Sequence, residues 1–185
     1  MGAPKSPDGL IHLGMTEWLD LQAAAAYALI HGASLLLLFG QSMGGAIVTR
    51  FMRASALADR VSGLILDAPA LDWQSILEHQ AAILHLPFMA GPVEAAVQLR
   101  IGMDWGLMNE VAHAAGFRLP ILLFQGLADT LVPPADSAAF AKGVGGPITF
   151  VEVPEAGHIQ SWNVDPTAYD GHVQQFLSGA AGERG

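Results

Sequence analysis

Cysteine is absent from this chain of 185 residues, and its absence excludes several kinds of site. Without cysteine there is no disulfide framework, no catalytic thiolate and no cysteine-ligated zinc. Positive charge is also scarce, since 8 lysines and arginines stand against 17 aspartates and glutamates, for a net charge of −9. A negative chain is repelled by a phosphate backbone, so we expect no nucleic-acid partner.

Long apolar runs are missing too. No run approaches the about 20 residues that cross a bilayer. Residues 1–9 hold a single lysine with no apolar stretch after it, unlike a secretory signal. We therefore expect no membrane span and a cytoplasmic location. Yet 52% of the residues are hydrophobic and 14% are charged, which is typical of one folded globular domain.

Glycines surround one serine at the end of an apolar run. The run Leu35–Phe39 predicts a buried strand, and it leads through Gly40-Gln41-Ser42-Met43-Gly44-Gly45 into a helix predicted from about Met43 to Ala56. A serine in such a tight turn exposes its hydroxyl, while glycines two positions to either side avoid collisions with the crossing backbone. The pattern predicts a nucleophile elbow at Ser42, with Gly44 and Gly45 as helix-packing positions.

Two further polar residues follow predicted strands. Asp129 comes after the apolar run 120–126, and His158 comes after the β-rich run 148–153. Parallel strands end at one edge of their sheet, so these side chains should converge with Ser42. Asp67 also follows a predicted strand, Gly63–Leu66, and is a rival acid. We favour Asp129 because its turn is one strand closer to the histidine.

The chain order of serine, aspartate and histidine resembles that of the α/β-hydrolase family, over a stretch from His12 to about Phe176. The resemblance implies that Ser42 is the nucleophile, that His158 is the general base and then the acid, and that Asp129 orients the imidazole. It also implies that the backbone N–H of Met43 donates to the oxyanion. Asp129 is favoured over Asp67 on this ground as well.

The commonest activity of this family is hydrolysis of carboxylic esters, so we expect a small-molecule ester as substrate, with short to medium acyl groups. Lipases, thioesterases, amidases, peptidases and acyltransferases use the same residues. No spacing of His, Asp or Glu suggests a metal, and no cofactor is implied. Side chains next to the motifs could line an acyl pocket or simply belong to the core; they are Trp73, Leu131, Ile159 and Trp162.

Alternating strands and helices predict an α/β fold with a parallel sheet of about four strands and helices on both faces. Only 34 residues precede Leu35, whereas one βαβ unit takes about 30 residues. We therefore interpret residues 1–185 as a single truncated domain equivalent to the second half of the family's sheet. Segment 72–118 is interpreted as a short helical lid, and a last helix should start at Asp165-Pro166, its apolar face being Tyr169, Val173, Phe176 and Leu177.

This interpretation leaves Leu35–Phe39 at the edge of the sheet. An unpaired strand edge attracts other strands, so we expect a homodimer or larger homo-oligomer through this segment. The same observation supports a rival function, in which a catalytically weak half-domain acts as an assembly module.

Overall fold

The computed structural model describes residues 9–182 of the chain. Its sheet has four parallel strands that lie side by side in chain order. The strands are β1 (Leu36–Gln41), β2 (Val61–Asp67), β3 (Ile121–Gly126) and β4 (Ile148–Val153). The predicted parallel sheet is thus confirmed. The opening segment 1–8, on which the expectation of no secretory signal depended, lies outside the described residues.

Seven α-helices are found within residues 9–182. None of them is both long and apolar enough to cross a membrane. They are α1 (Trp18–Ile30), α2 (Met43–Ala54), α3 (Trp73–Ile83), α4 (Ala90–Ile101), α5 (Pro134–Gly143), α6 (Ser161–Val164) and α7 (Pro166–Gly182).

Helices cover both faces of the sheet, because successive strand residues point to opposite sides. Leu38, Leu66 and Leu123 belong to one buried cluster, which also takes in residues of α1, α2 and α5. Ile65 and Leu122 belong to a second cluster, which packs against α7. The predicted arrangement of helices on both faces is therefore confirmed.

The last helix begins as predicted. Pro166 is its first residue, and Asp165 Oδ1 accepts a hydrogen bond of 2.9 Å from the N–H of Ala168. Three of the four apolar residues predicted for its buried face pack against the sheet; they are Tyr169, Val173 and Phe176. Leu177 is 44% exposed instead, since consecutive helical residues are separated by about 100° around the axis.

The strand before Ser42 is displaced from the predicted Leu35–Phe39. It starts at Leu36 and continues to Gln41, because Gly40 and Gln41 still pair with Leu66 and Asp67 of β2. Hydrophobicity alone ended the strand too early, since these last two positions are held by backbone pairing. As predicted, β1 lies at an edge of the described sheet.

The segment 72–118 contains α3 and α4, which contact each other and are joined through a 3-10 turn at Pro87–Met89. Asp72 caps α3, its side chain accepting hydrogen bonds from the N–H groups of Gln74 and Ser75. Val97 and Ile101 of α4 pack with Ile76 of α3 in a third apolar cluster. That this segment serves as a lid stays a prediction.

Candidate active site

Ser42 occupies a strained turn between β1 and α2. Its φ of 50° and ψ of −122° lie in a region that residues other than glycine rarely adopt. Its N–H donates to the carbonyl of Asp67 at 3.1 Å, and its carbonyl accepts from the N–H groups of Gly45 and Ala70, each at 2.9 Å. These backbone contacts hold the predicted elbow in place.

The glycines around Ser42 differ in how closely other atoms approach them. A Cβ on Gly40 would lie 2.5 Å from the carbonyl oxygen of Gly44, and one on Gly45 would overlap Pro69. A Cβ on Gly44 would meet no atom within 4 Å. The predicted packing role is therefore right for Gly45 and wrong for Gly44, whose missing side chain would point into open space.

Asp129 lies in the turn after β3, with its side chain fully buried. Its Oδ1 accepts hydrogen bonds from the N–H groups of Leu131 at 2.8 Å and Val132 at 3.0 Å. Gln125 donates from Nε2 to its Oδ2 at 3.3 Å. Because backbone amides hold Oδ1, the direction of Oδ2 is set before any other group binds it.

His158 connects this carboxylate to the serine. Its Nδ1 lies 2.9 Å from Oδ2 of Asp129, and its Nε2 lies 2.8 Å from Oγ of Ser42. An ionised carboxylate only accepts hydrogen bonds, so Nδ1 carries the proton, and Nε2 is left to accept from the serine hydroxyl. The imidazole is thus placed to remove the proton from Ser42.

The acid turn and the histidine loop are in direct contact. The N–H of Ala128 donates to the carbonyl of Ala156 at 3.0 Å, and a Cβ on Gly126 would overlap that same carbonyl. Ile159, directly after the histidine, has a φ of 50°. Glycine at position 126 is therefore needed for the close approach that brings His158 to Asp129.

Asp67, the rival acid, binds other groups. Its Oδ1 accepts from Oγ of Ser161 at 3.0 Å, and its Oδ2 accepts from Nε2 of Gln41 at 3.3 Å and from the Tyr169 hydroxyl at 3.5 Å. Burial raises the pKa of Asp67, while these hydrogen bonds and the charge of His158 lower it. The carboxylate that hydrogen-bonds to the imidazole is Asp129, as we favoured.

Gln125 and Ser137 form a hydrogen-bonded chain that ends at Asp129, and neither residue was predicted from the sequence. Ser137 donates from Oγ to Oε1 of Gln125 at 2.7 Å, which leaves Nε2 of Gln125 to donate toward Asp129. Both side chains are fully buried. A signal existed, because Gln125 is the only polar residue in a strand whose other positions are apolar or glycine.

Met43 is the first residue of α2. The first N–H groups of a helix have no acceptor inside it, and the helix dipole favours negative charge at this end. This placement suits an oxyanion donor, and the role of Met43 stays a prediction.

The four candidate pocket residues are not alike. Trp73 packs in the apolar cluster beside Leu13 and donates from Nε1 to the carbonyl of that residue at 2.9 Å. Trp162 is turned toward α7, where its Nε1 donates to Asp170 at 3.1 Å. Leu131 and Ile159 follow the acid and the histidine closely in the chain, and both are partly exposed. Their pocket role stays a prediction.

Three comparisons relate this chain to known proteins. A family model described as serine aminopeptidase, S33, matches residues 18–104. The α/β-hydrolase domain-containing protein WAV2 of Arabidopsis thaliana is 28% identical over 159 residues, which cover 82% of this chain and 49% of that protein. The chain thus spans about half the length of the curated relative that it matches.

Solved structures agree in fold. An esterase from Pyrococcus furiosus superposes with a TM-score of 0.67 at 19% identity, covering 88% of this chain and 61% of that one. A thermophilic esterase from Thermogutta terrifontis gives a TM-score of 0.60 at 18% identity, covering 90% and 72%. At such identities the likeness shows the fold alone.

Proposed function

We propose that this chain is an α/β-hydrolase, as its similarity to proteins of that superfamily supports, and that it hydrolyses carboxylic esters through an acyl-enzyme on Ser42. One observation carries the proposal, namely the unbroken hydrogen-bond path from Ser42 through His158 to Asp129, with links of 2.8 Å and 2.9 Å. The fold that this chain shares with the two esterases is compatible with that reaction.

In the first half of the reaction, Nε2 of His158 takes the proton of Ser42 as Oγ bonds to the acyl carbon. Asp129 stabilises the imidazolium that results. The Met43 N–H donates to the carbonyl oxygen as it becomes an oxyanion. When the bond between the acyl carbon and the leaving oxygen breaks, His158 gives this proton to the leaving oxygen, and the alcohol departs.

In the second half, water replaces the alcohol. His158 takes one proton from this water while the water oxygen attacks the acyl carbon, and the bond to Oγ then breaks. The proton returns to Ser42 and the carboxylic acid leaves. Every group is restored, so the cycle needs no cofactor.

An apolar cluster next to the elbow supports an apolar acyl group in the substrate, and we propose acyl groups of short to medium length. Ala70, whose N–H binds the carbonyl of Ser42, belongs to this cluster, and so does Ala46 of the first turns of α2. We propose that the acyl chain lies against the partly buried members of this cluster, among them Trp73 and Leu13. The remaining buried members are Ile76, Met103, Met108 and Val132.

Hydrolysis of a short p-nitrophenyl ester by the purified protein tests the proposal, with Ser42→Ala as its control. We expect turnover by the parent protein and its loss in the variant. Equal rates for both proteins would overturn the assignment of Ser42.

A series of acyl chain lengths then tests the substrate class. Rates should peak at short or medium chains in solution. A peak at long chains with activation at an oil interface would point to a lipase instead. Faster reaction with thioesters or amides of the same acyl group would indicate a thioesterase or amidase, and acyl transfer to an added alcohol would indicate an acyltransferase.

Assembly through β1 is a second proposal, and it applies also if catalysis proves weak. In the described sheet β1 pairs with β2 alone, and Phe39 is 51% exposed beside this edge. We propose that two copies pair their β1 strands antiparallel into one eight-stranded sheet, which satisfies the free backbone groups of both.

Sedimentation at micromolar concentration tests this assembly. The parent protein should have the mass of a dimer, and Phe39→Lys should have that of a monomer. Leu99→Lys is the control, because Leu99 is 88% exposed on α4 and is not part of the sheet. A monomeric parent protein would contradict the proposal.

A further inference from the structure

The end of β2 lies between the strands that carry the proposed nucleophile and acid. Ser42 follows β1 and Asp129 follows β3, and Asp67 is the last residue of the strand between them. Asp67 is 1% exposed. Burying a carboxylate is costly unless hydrogen bonds compensate it, so its presence here needs a physical reason.

Two of the three side chains that donate to Asp67 belong to the segments that must meet during the reaction, and the third, Tyr169, belongs to α7. Ser161, which binds its Oδ1, follows His158 by 3 residues and is the first residue of α6, where the histidine loop ends. Gln41, which binds its Oδ2, directly precedes Ser42 and is paired with Asp67 in the sheet. One side chain is therefore tied to both the nucleophile's strand and the histidine's loop.

Backbone strain occurs at both ends of this connection. Ser42 has a φ of 50°, Ile159 next to the histidine also has 50°, and Ala68 next to Asp67 has 46°. Such conformations persist only where surrounding contacts hold them. The carbonyl of Asp67 accepts the N–H of Ser42 at 3.1 Å, so main chain and side chain of this residue act together.

We propose that Asp67 is a positioning residue, whose carboxylate holds the histidine loop against the elbow so that Nε2 of His158 stays within reach of Ser42. The inference rests on the proposed function, since the placement matters for that reaction. Misplacing a reacting group by about 1 Å costs about 10²-fold in rate. Asp67 acts through Ser161 and Gln41, since Nδ1 of the imidazole is bound by Asp129.

The test uses steady-state ester hydrolysis by Asp67→Ala, Asp67→Asn and Ser161→Ala. We expect kcat to fall about 10²-fold in Asp67→Ala and about 10-fold in the other two, with KM within about twofold of the parent value. Asparagine keeps the shape and one acceptor, so Asp67→Asn should recover part of the loss. Because both residues act in one connection, the double variant Asp67→Ala with Ser161→Ala should lose little more than Asp67→Ala alone.

Glu110→Gln is the matched control. Glu110 is likewise fully buried, and its partner is Arg53 in the last turn of α2, at the opposite end of that helix from Ser42. Burial raises the pKa of Glu110 as it does that of Asp67. Loss of a buried carboxylate at this second place should lower the free energy of unfolding while kcat stays unchanged.

A readout that does not depend on turnover is the NMR signal of the proton on Nδ1 of His158. This signal should appear at low field in the parent protein and broaden or vanish in Asp67→Ala, or in Ser161→Ala if the first variant does not fold. If the parent protein showed no ester turnover, the proposed function would be wrong. The NMR signal of His158 would then test the positioning role of Asp67 by itself. Unchanged kcat in Asp67→Ala, or an unchanged proton signal in the folded variants, would overturn the inference.

Discussion

Among residues 9–182, serine, histidine and aspartate come together at the strand ends and also between α3 and α5, with different hydrogen bonding. At the strand ends, His158 lies between Ser42 and Asp129 and bonds to both. Between α3 and α5, Ser75 instead donates directly to Oδ1 of Asp136 at 2.9 Å. In this second cluster, Nε2 of His79 and Oδ2 of Asp136 are both buried, and neither atom has a hydrogen-bond partner among the described residues.

Residue types alone therefore do not make a proton path. Ser75 lies in the regular first turns of α3, whereas Ser42 is held in a strained turn with its hydroxyl facing the imidazole. Burial raises the pKa of Asp136 to about 6, with Asp72 adding to the effect and Ser75 and His79 opposing it. This second cluster thus has the chemistry of a buried polar contact between helices.

Removal of the serines should give the largest contrast. Ser42→Ala should lower kcat for a p-nitrophenyl ester by about 10⁵-fold, since no other group supplies the nucleophile. Ser75→Ala should leave kcat within about twofold, because its hydroxyl is already bound to Asp136. The two rates are compared on variants whose folding is checked by circular dichroism. A large loss of activity in Ser75→Ala would break the distinction between the clusters.

The aspartates should differ almost as much. Asp129→Asn presents an amide where the imidazole needs an acceptor, so kcat should fall about 10³-fold to 10⁴-fold through the wrong tautomer. Asp136→Asn should change kcat by less than about twofold. Stopped-flow acylation measures the step concerned. If Asp129→Asn were acylated at the rate of the parent protein, another carboxylate would serve as the acid, and Asp67 would be the first candidate.

The elbow that distinguishes Ser42 should be sensitive to one added methyl group. Gly45→Ala should lower the free energy of unfolding by about 1 to 3 kcal/mol, because its Cβ would overlap Pro69. Gly44→Ala should raise it by up to about 1 kcal/mol, since alanine favours a helix and the space is open. Urea denaturation of both variants measures the difference. Equal effects would mean that the packing around the elbow relaxes freely.

The smallest effect concerns pH and the Asp136 cluster. The pKa of Asp136 is about 6 in the folded protein and about 3.9 in an unfolded chain. The folded state therefore binds more protons between these values, and this group's contribution to stability is lost as pH rises through about 6. Relative to the parent protein, Asp136→Asn should gain stability from about pH 4 to about pH 7.

Urea titrations of the parent protein and Asp136→Asn across that range test the prediction. A stability difference between Asp136→Asn and the parent protein that does not vary with pH would contradict a raised pKa at this position.

Local patterns in the chain predicted the elements on which the site is built. Continuous apolar runs predicted the strands, the glycines around Ser42 predicted the turn, and Asp165-Pro166 predicted the start of α7, because each signal depends on neighbours a few residues apart. Strand ends were less accurate, since Gly40 and Gln41 are held by pairing with β2.

Four polar residues at or just after the strand ends are predictable from sequence, because apolar runs and turn residues set where strands stop; they are Ser42, Asp67, Asp129 and His158. How these residues are used depends on tertiary packing. Register and loop packing across the sheet place Asp129 at the imidazole and leave Asp67 to Ser161 and Gln41. Contacts between residues distant in the chain carry no local pattern, so that choice is made when the chain packs.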